Sequence, residues 1–95
     1  SGRNRPLFVL ICIDKPGAQE LRAANRPAHL DYLDGSGVAA FAGPFLDAAG
    51  QPTGSLIVLD VPDMAAAEAW AAADPYAKAG LFESVTIRAW KKVRG

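Results

Sequence analysis

Two short apolar segments, residues 7–13 and 55–60, constrain the fold of this chain more than any other feature. Both are rich in strand-forming residues and too short for buried helices, and the first ends at a turn signal beginning with Asp14. Successive side chains of a strand point to opposite faces of the sheet, so these strands are apolar on both faces. The sheet that contains them therefore needs a cover on each side.

A proline divides the first helical region of the sequence. Pro27 lies within the stretch 18–33, and an interior proline costs a helix about 3 kcal/mol. We therefore predict a short turn over 18–23 and a main helix that begins near Arg26. Gly35 and Gly37 are expected to end that helix.

The rest of the chain reads as three strands and one helix. A strand over 38–42 is expected to stop at Gly43-Pro44, and a loop over 47–54 precedes the apolar strand 55–60. Asp63 is a good N-cap for a helix over 64–73, since its carboxylate can accept from free backbone N–H groups. A short helical turn after Asp74 and a last strand over 84–92 complete the prediction.

The element order β-α-β-β-α-β predicts an α+β, ferredoxin-like domain. Such a domain has a four-stranded antiparallel sheet with two helices on one face. The helices cover one face only, yet the apolar strands need both faces covered. We therefore predict that two copies pack sheet to sheet as a homodimer; the alternative is a monomer in which residues 44–54 cover the second face.

Composition narrows the class of protein. At 95 residues the chain is expected to be a single domain, and its ten basic residues balance ten acidic ones. Neither a nucleic acid nor a membrane surface is therefore an expected partner. The one cysteine, Cys12, is expected to be a buried free thiol, which fits a cytoplasmic protein. Residues 1–6 are expected to be disordered, with Ser1 and Gly2 derived in part from an expression tag.

The one histidine and an aspartate at a helix exit are the main candidates for chemistry. Asp74 precedes a proline and must leave the helix, so its carboxylate and the nearby Tyr76 phenol can face a cleft. If the first helix begins near Arg26, His29 lies in its first turn, at the same end of the domain as Asp74. A carboxylate can hold one imidazole nitrogen and leave the other free for proton transfer. The alternative is structural, with Asp74 capping a turn and His29 packing.

Weaker candidates surround this pair. Arg22 and Arg26 are four residues apart and form either an anion site or a solvated, salt-bridged face. Ser55 could donate a hydrogen bond to a substrate or serve the turn at Gly54. Gly43 and Pro44 are expected to line the same cleft. Neither a metal nor a cofactor is expected, because no ligand spacing or phosphate-binding glycine motif is present.

From Leu7 to Lys92 the chain resembles the YCII-related protein family. The resemblance rests on a set of short motifs: Asp14-Lys15-Pro16-Gly17 with Arg22, Arg26-Pro27-Ala28-His29-Leu30, Gly43-Pro44, Gly54-Ser55-Leu56, Asp74-Pro75-Tyr76, Ala79-Gly80-Leu81-Phe82 and the closing segment 85–91. It implies a ferredoxin-like fold that forms a dimeric α+β barrel. It also implies that His29 and Asp74 form an active-site pair and that Ser55 belongs to the same site.

The resemblance implies acid–base chemistry on small, often aromatic molecules, including dehydrohalogenation. We therefore predict a cofactor-independent enzyme of the lyase or isomerase type that acts on a small aromatic or anionic molecule. Proton abstraction, isomerisation and elimination all fit this prediction. The alternative function is a non-catalytic dimer whose cleft binds a metabolite or regulates a partner.

Overall fold

The computed structural model describes residues 5–95 and contains four strands and three helices. In chain order these are β1 (Leu7–Asp14), α1 (Gln19–Ser36), β2 (Ala39–Leu46), β3 (Pro52–Leu59), α2 (Met64–Ala73), α3 (Pro75–Lys78) and β4 (Phe82–Trp90). The strands form one antiparallel sheet in the order β2-β3-β1-β4. The predicted α+β, ferredoxin-like fold is confirmed.

The expectation of disorder at the N-terminus falls largely outside the described residues, since residues 1–4 are not among them. Arg5 is described, and its guanidinium donates to the Asp60 carboxylate at 2.6 Å on the protein surface.

The helix-covered face of the sheet carries the core. On β1, the side chains of Phe8, Leu10 and Cys12 are at most 4% exposed. They pair in register with Leu59, Ile57 and Ser55 of β3, which are also buried and lie on the same face. Ala67 and Trp70 of α2 complete this cluster. One of the two apolar faces predicted for β1 and β3 therefore packs against the helices.

The other face of the sheet is apolar and open in the single chain. Three large side chains on this face, Phe41, Leu56 and Trp90, are 55%, 38% and 43% exposed. Residues 44–54, the alternative cover in a monomer, belong instead to the hairpin that joins β2 to β3. Because this hairpin extends the sheet in its own plane, it leaves the apolar face open.

The β2–β3 hairpin is longer than the sequence predicted. The expected end of β2 at Gly43-Pro44 is wrong, because the strand runs to Leu46 and β3 already begins at Pro52. Pro44 is tolerated because β2 is an edge strand, where a missing backbone N–H does not break the sheet. The tight turn is stabilised by Asp47, whose carboxylate accepts from two backbone N–H groups of the turn.

The first helix differs from the prediction in its length. α1 is continuous across Pro27, so the expected division into a turn and a later helix is wrong. Pro27 and Ala23, whose carbonyl loses its helical partner, are both exposed, and water can therefore solvate that carbonyl. His29 consequently lies near the middle of α1, and the first-turn position expected for it is also wrong.

The helix ends elsewhere follow the predicted signals. Gly37 caps α1 with φ at 69°, a left-handed conformation that glycine adopts without steric cost. Asp63 caps α2 by accepting from the backbone N–H of Ala66 at 2.8 Å. α2 occupies the predicted residues 64–73, and the short helical turn expected after Asp74 is α3.

Candidate active site

His29 and Asp74 are in direct contact although 45 residues separate them in the chain. His29 Nδ1 lies 2.8 Å from Asp74 Oδ1, and the two residues are 5% and 1% exposed. The helix exit brings them together. Asp74 ends α2 in an extended conformation, as expected before a proline, and α3 then packs against α1. The contact therefore forms on the side of α1, and the helix-end geometry expected from the sequence is not what produces it.

Asp74 is held by more than the imidazole. Its Oδ1 also accepts from the backbone N–H of Tyr76 at 3.0 Å, which makes Asp74 the N-cap of α3. A carboxylate that accepts from a peptide N–H is fixed in position before any imidazole approaches. The orientation of the Asp74 carboxylate is thus set by the backbone at the start of α3.

The hydrogen bond to Asp74 determines which nitrogen of His29 remains available. An ionised carboxylate only accepts, so Nδ1 donates and Nε2 carries the lone pair of the neutral ring. Among residues 5–95, no fully buried side-chain nitrogen or oxygen lacks a partner, and Nε2 has none. Nε2 therefore reaches accessible space, and His29 lines a cavity.

Tyr76 packs between the groups of the site. Its ring stacks on the His29 imidazole with centroids 4.0 Å apart, and the Arg22 guanidinium lies 4.7 Å from the same ring. Burial raises the pKa of the Tyr76 hydroxyl above its ordinary value, against the smaller lowering effects of Arg22 and Arg26. The phenol therefore stays protonated at neutral pH, and its aromatic face restricts the rotation of the imidazole.

A second buried cluster joins Asp14, Arg22 and Ser55. Arg22 Nε and Nη2 donate to the two Asp14 oxygens at 2.7 and 3.1 Å, and Nη2 also donates to Ser55 Oγ at 2.8 Å. Burial alone lowers the pKa of Arg22, but the hydrogen bonds and charge of Asp14 outweigh it and raise that pKa overall. Arg22 is therefore a permanent cation whose charge is matched by Asp14.

The cavity beside His29 has a volume of about 310 Å³ and lies between α1 and the β2–β3 hairpin. Its polar lining comes from Gln19, Arg22, Arg26, His29, Gln51, Ser55 and Tyr76. Its remaining lining is apolar or backbone: Ala23, Leu30, Leu33, Ala42, Gly43, Pro44, Pro52 and Ile57. A small ring with polar substituents matches a cavity of this size and mixed lining.

Arg26 differs from Arg22 in its surroundings. The side chain is exposed at the cavity, and no ion pair or hydrogen bond joins it to another side chain in the described part of the protein. Since the charge of Arg22 is already matched by Asp14, Arg26 is the cation better placed to meet a negatively charged ligand. Both arginines line the cavity, but only the charge of Arg22 is matched by a neighbouring carboxylate.

The structure places every predicted ligand-contacting residue on this one cavity: Arg22, Arg26, Gly43, Pro44, Ser55 and Tyr76 line it together with His29. Asp74 lies behind His29 and does not line the cavity. The sequence prediction gives Asp14 no role in the site, although strand alternation places it on the buried face two residues after Cys12. A charged residue on the buried side of a strand was the signal that could have identified it.

Two further observations concern other kinds of site. Among residues 5–95, no three histidine, cysteine or acidic side chains lie close enough together to hold a metal ion. No helix in this part of the chain is long and apolar enough to cross a lipid bilayer.

Comparison with known proteins identifies the family. The model of the YCII-related domain matches residues 7–91. The chain is 38% identical over 96 residues to Protein YciI of Escherichia coli strain CFT073, covering 92% of this chain and 98% of that protein.

Solved structures share the fold of this chain. With a TM-score of 0.83 and 31% identity, the chain is similar to the 5-chloro-2-hydroxyhydroquinone dehydrochlorinase TftG from Burkholderia phenoliruptrix, solved in complex with 2,5-dihydroxybenzoquinone. That match covers 90% of this chain and 93% of TftG. An antibiotic biosynthesis monooxygenase shares the fold with a TM-score of 0.59 at 14% identity, covering 94% of this chain and 99% of the other. The chain belongs to the YCII-related family.

Proposed function

We propose that this member of the YCII-related family is a cofactor-independent enzyme that uses His29 and Asp74 as an acid–base pair on a small oxygenated ring. One observation carries the proposal: Asp74 fixes Nδ1 of His29 at 2.8 Å, and the other ring nitrogen opens onto the cavity of about 310 Å³. An imidazole held in this way is oriented for proton transfer at Nε2.

The reaction class follows from the chemistry available in the cavity. In an elimination, His29 Nε2 takes a proton from the substrate, the electron pair left behind forms a new double bond, and a halide leaves with its own bonding electron pair. Such a step transfers a proton and an anion and needs no redox centre. Isomerisation uses the same base to remove a proton at one atom and return it at another.

The similarity to TftG supports a ring as the substrate. TftG is a dehydrochlorinase, and its structure contains a dihydroxybenzoquinone. In this chain, Leu30, Leu33 and Ile57 supply an apolar wall for a ring, and Arg26 supplies a positive charge for an oxyanion. We expect a small aromatic or quinone-like substrate with at least one negatively charged oxygen.

The test exploits the fact that His29 is the only histidine in the chain. Purified protein is incubated with 5-chloro-2-hydroxyhydroquinone and related halogenated phenols, and chloride release is measured. His29→Ala is expected to lower the rate by about 100- to 10,000-fold, the usual contribution of general acid–base catalysis. Added imidazole is expected to restore part of that rate, since it replaces the missing base without repairing the fold.

Three outcomes separate the alternatives. Turnover that survives His29→Ala contradicts the proposed mechanism. Tight binding of these compounds without turnover in the unmodified protein instead supports the non-catalytic, metabolite-binding alternative. A loss of several kcal/mol of unfolding free energy in His29→Ala, with no substrate found, supports a structural role for the His29–Asp74 contact.

The open sheet face supports a second part of the proposal, a homodimer formed sheet to sheet. Phe41, Leu56 and Trp90 form an apolar surface that a second copy would cover. Sedimentation at micromolar concentration is expected to show a dimer, and Leu56→Lys is expected to shift it to monomer. The matched control, Leu21→Lys on the exposed surface of α1, is expected to leave the dimer intact. A monomeric unmodified protein would contradict this part of the proposal.

A further inference from the structure

Ser55 presents an unused proton to the cavity. Its Oγ accepts a hydrogen bond from Arg22 at 2.8 Å, and arginine can only donate. The hydroxyl proton of Ser55 must therefore point away from Arg22. In the described part of the chain no side chain or backbone group accepts it, although Ser55 is only 3% exposed. The residue lines the cavity, so a ligand is the available acceptor.

Asp14 maintains this arrangement without touching the cavity. Its carboxylate takes two hydrogen bonds from Arg22, and both side chains of the pair are less than a tenth exposed. A guanidinium held at two points keeps its remaining N–H directed at Ser55. Asp14 is absent from the residues that line this cavity. Asp14 therefore reaches a ligand through Arg22, which lines the cavity and donates to Ser55.

We infer that Asp14 is a positioning residue: through Arg22 it locks Ser55 as a hydrogen-bond donor, and the ligand atom beside Ser55 is an acceptor oxygen such as a phenolate, enolate or carbonyl oxygen. This inference deepens the proposed function and rests on the same cavity. It assigns the orientation of the ligand, with one oxygen at Ser55 and another part of the ring at His29 Nε2.

Binding measurements can test this without any turnover. The probes are 2,5-dihydroxybenzoquinone, which carries acceptor oxygens, and p-xylene, a ring of similar size that carries none. Ser55→Ala is expected to weaken binding of the quinone about tenfold or more, as loss of a hydrogen bond to a charged group does. It is expected to leave binding of p-xylene within about twofold, because no hydrogen bond to p-xylene is lost.

Asp14→Asn is expected to show the same selective loss. The double variant with Ser55→Ala is expected to bind the quinone no worse than Ser55→Ala alone, because the inferred effect of Asp14 is to orient Ser55. If Asp14→Asn does not fold, the paired variant Asp14→Asn with Arg22→Gln, which leaves no unmatched buried charge, takes its place. This paired variant is expected to lose the quinone selectively as well.

Several results would overturn the inference. Equal losses for the quinone and p-xylene would show that Asp14 only shapes the cavity. Additive losses in the double variant would show that Asp14 acts independently of Ser55. Failure of the unmodified protein to bind the quinone at millimolar concentration would also overturn it. By contrast, selective quinone binding in a protein that turns nothing over would contradict the proposed enzyme and leave this inference standing.

Discussion

Two buried pairs each join a carboxylate to a nitrogen base on α1. Arg22 is the base that pairs with Asp14, and His29 is the base that pairs with Asp74. Arg22 is 6% exposed and His29 is 5% exposed. Both bases also contact the ring of Tyr76. The two pairs thus share one helix, one aromatic neighbour and one level of burial.

The two pairs differ in the hydrogen-bonding capacity that remains on Arg22 and on His29. Arg22 stays protonated, and it gives hydrogen bonds to Asp14 and Ser55. His29 uses one nitrogen on Asp74 and keeps the other at the cavity, and an imidazole can both release and accept a proton. Burial and pairing are therefore common to both pairs, and what distinguishes His29 is a titratable ring with one nitrogen that has no hydrogen-bond partner among the described residues.

The largest expected difference between the pairs is in stability. Asp14→Ala leaves Arg22 as a buried, unmatched cation, which should lower the unfolding free energy by about 3–5 kcal/mol. His29→Ala should lower it less, because Asp74 still accepts from the backbone N–H of Tyr76. Urea denaturation of both variants measures the difference. An equal or larger loss for His29→Ala would contradict the expected difference in stability between the two pairs.

The helix segment between the two bases offers the next test. Pro27 lies between Arg22 and His29 and removes one backbone hydrogen bond from α1. Pro27→Ala is expected to raise the unfolding free energy by about 1–3 kcal/mol, since alanine restores that bond without a clash. Ala24→Ser, at an exposed position of the same helix, serves as the control and should change stability by less than about 0.5 kcal/mol. A loss of stability in Pro27→Ala would show that the two pairs depend on a proline-specific helix shape.

The pKa of the Cys12 thiol depends on its burial and on charges from both pairs. Burial raises the pKa of its thiol to about 12, and the charges of Asp74 and Asp14 add to this while Arg22 opposes it. The unfolded thiol ionises near 9, so it loses its proton at a pH where the folded thiol keeps it. This contribution to stability is complete below about pH 9 and is lost as pH rises toward 12.

Between pH 7.5 and pH 10 the Cys12 thiol ionises in the unfolded chain only, which should lower the unfolding free energy by about 1.4 kcal/mol. Urea denaturation at the two pH values measures this loss. Cys12→Ala is the matched control, because it removes the thiol and should remove that part of the pH dependence. An unchanged pH dependence in Cys12→Ala would contradict the assignment.

The smallest expected effect belongs to a surface pair. Arg5 and Asp60 lie 2.6 Å apart, but each side chain is 44% exposed. Asp60→Asn should lower the unfolding free energy by less than about 1 kcal/mol, and the difference should shrink further in high salt. A loss similar to that of Asp14→Ala would show that burial is not what separates these pairs.

Four residues show which local features the sequence predicts correctly and which it does not. Asp63 and Gly37 were correctly predicted as helix caps because their signals are local. The sequence predicts that Pro27 and Pro44 interrupt secondary structure, yet both lie inside regular elements. In each case the cost depends on surroundings: an exposed helix face for Pro27 and an edge strand for Pro44.

In the candidate site, too, the sequence identifies residues whose geometry only the tertiary structure provides. His29 and Asp74 were paired from the sequence on the assumption of a helix that begins near Arg26, and that geometry was wrong. They meet because α3 packs against the middle of α1. The sequence assigns Asp14 no role because the contact with Arg22 forms only when α1 docks on β1.

The sequence alone determined the β-α-β-β-α-β order of the main elements and the two apolar faces of the inner strands, because periodicity and caps act over a few residues. Only the tertiary structure decided which nitrogen of His29 is open, which arginine is matched and where the Ser55 proton points. Those facts depend on contacts between residues up to 45 positions apart. Side chains so far apart in the chain meet only when the helices dock on the sheet.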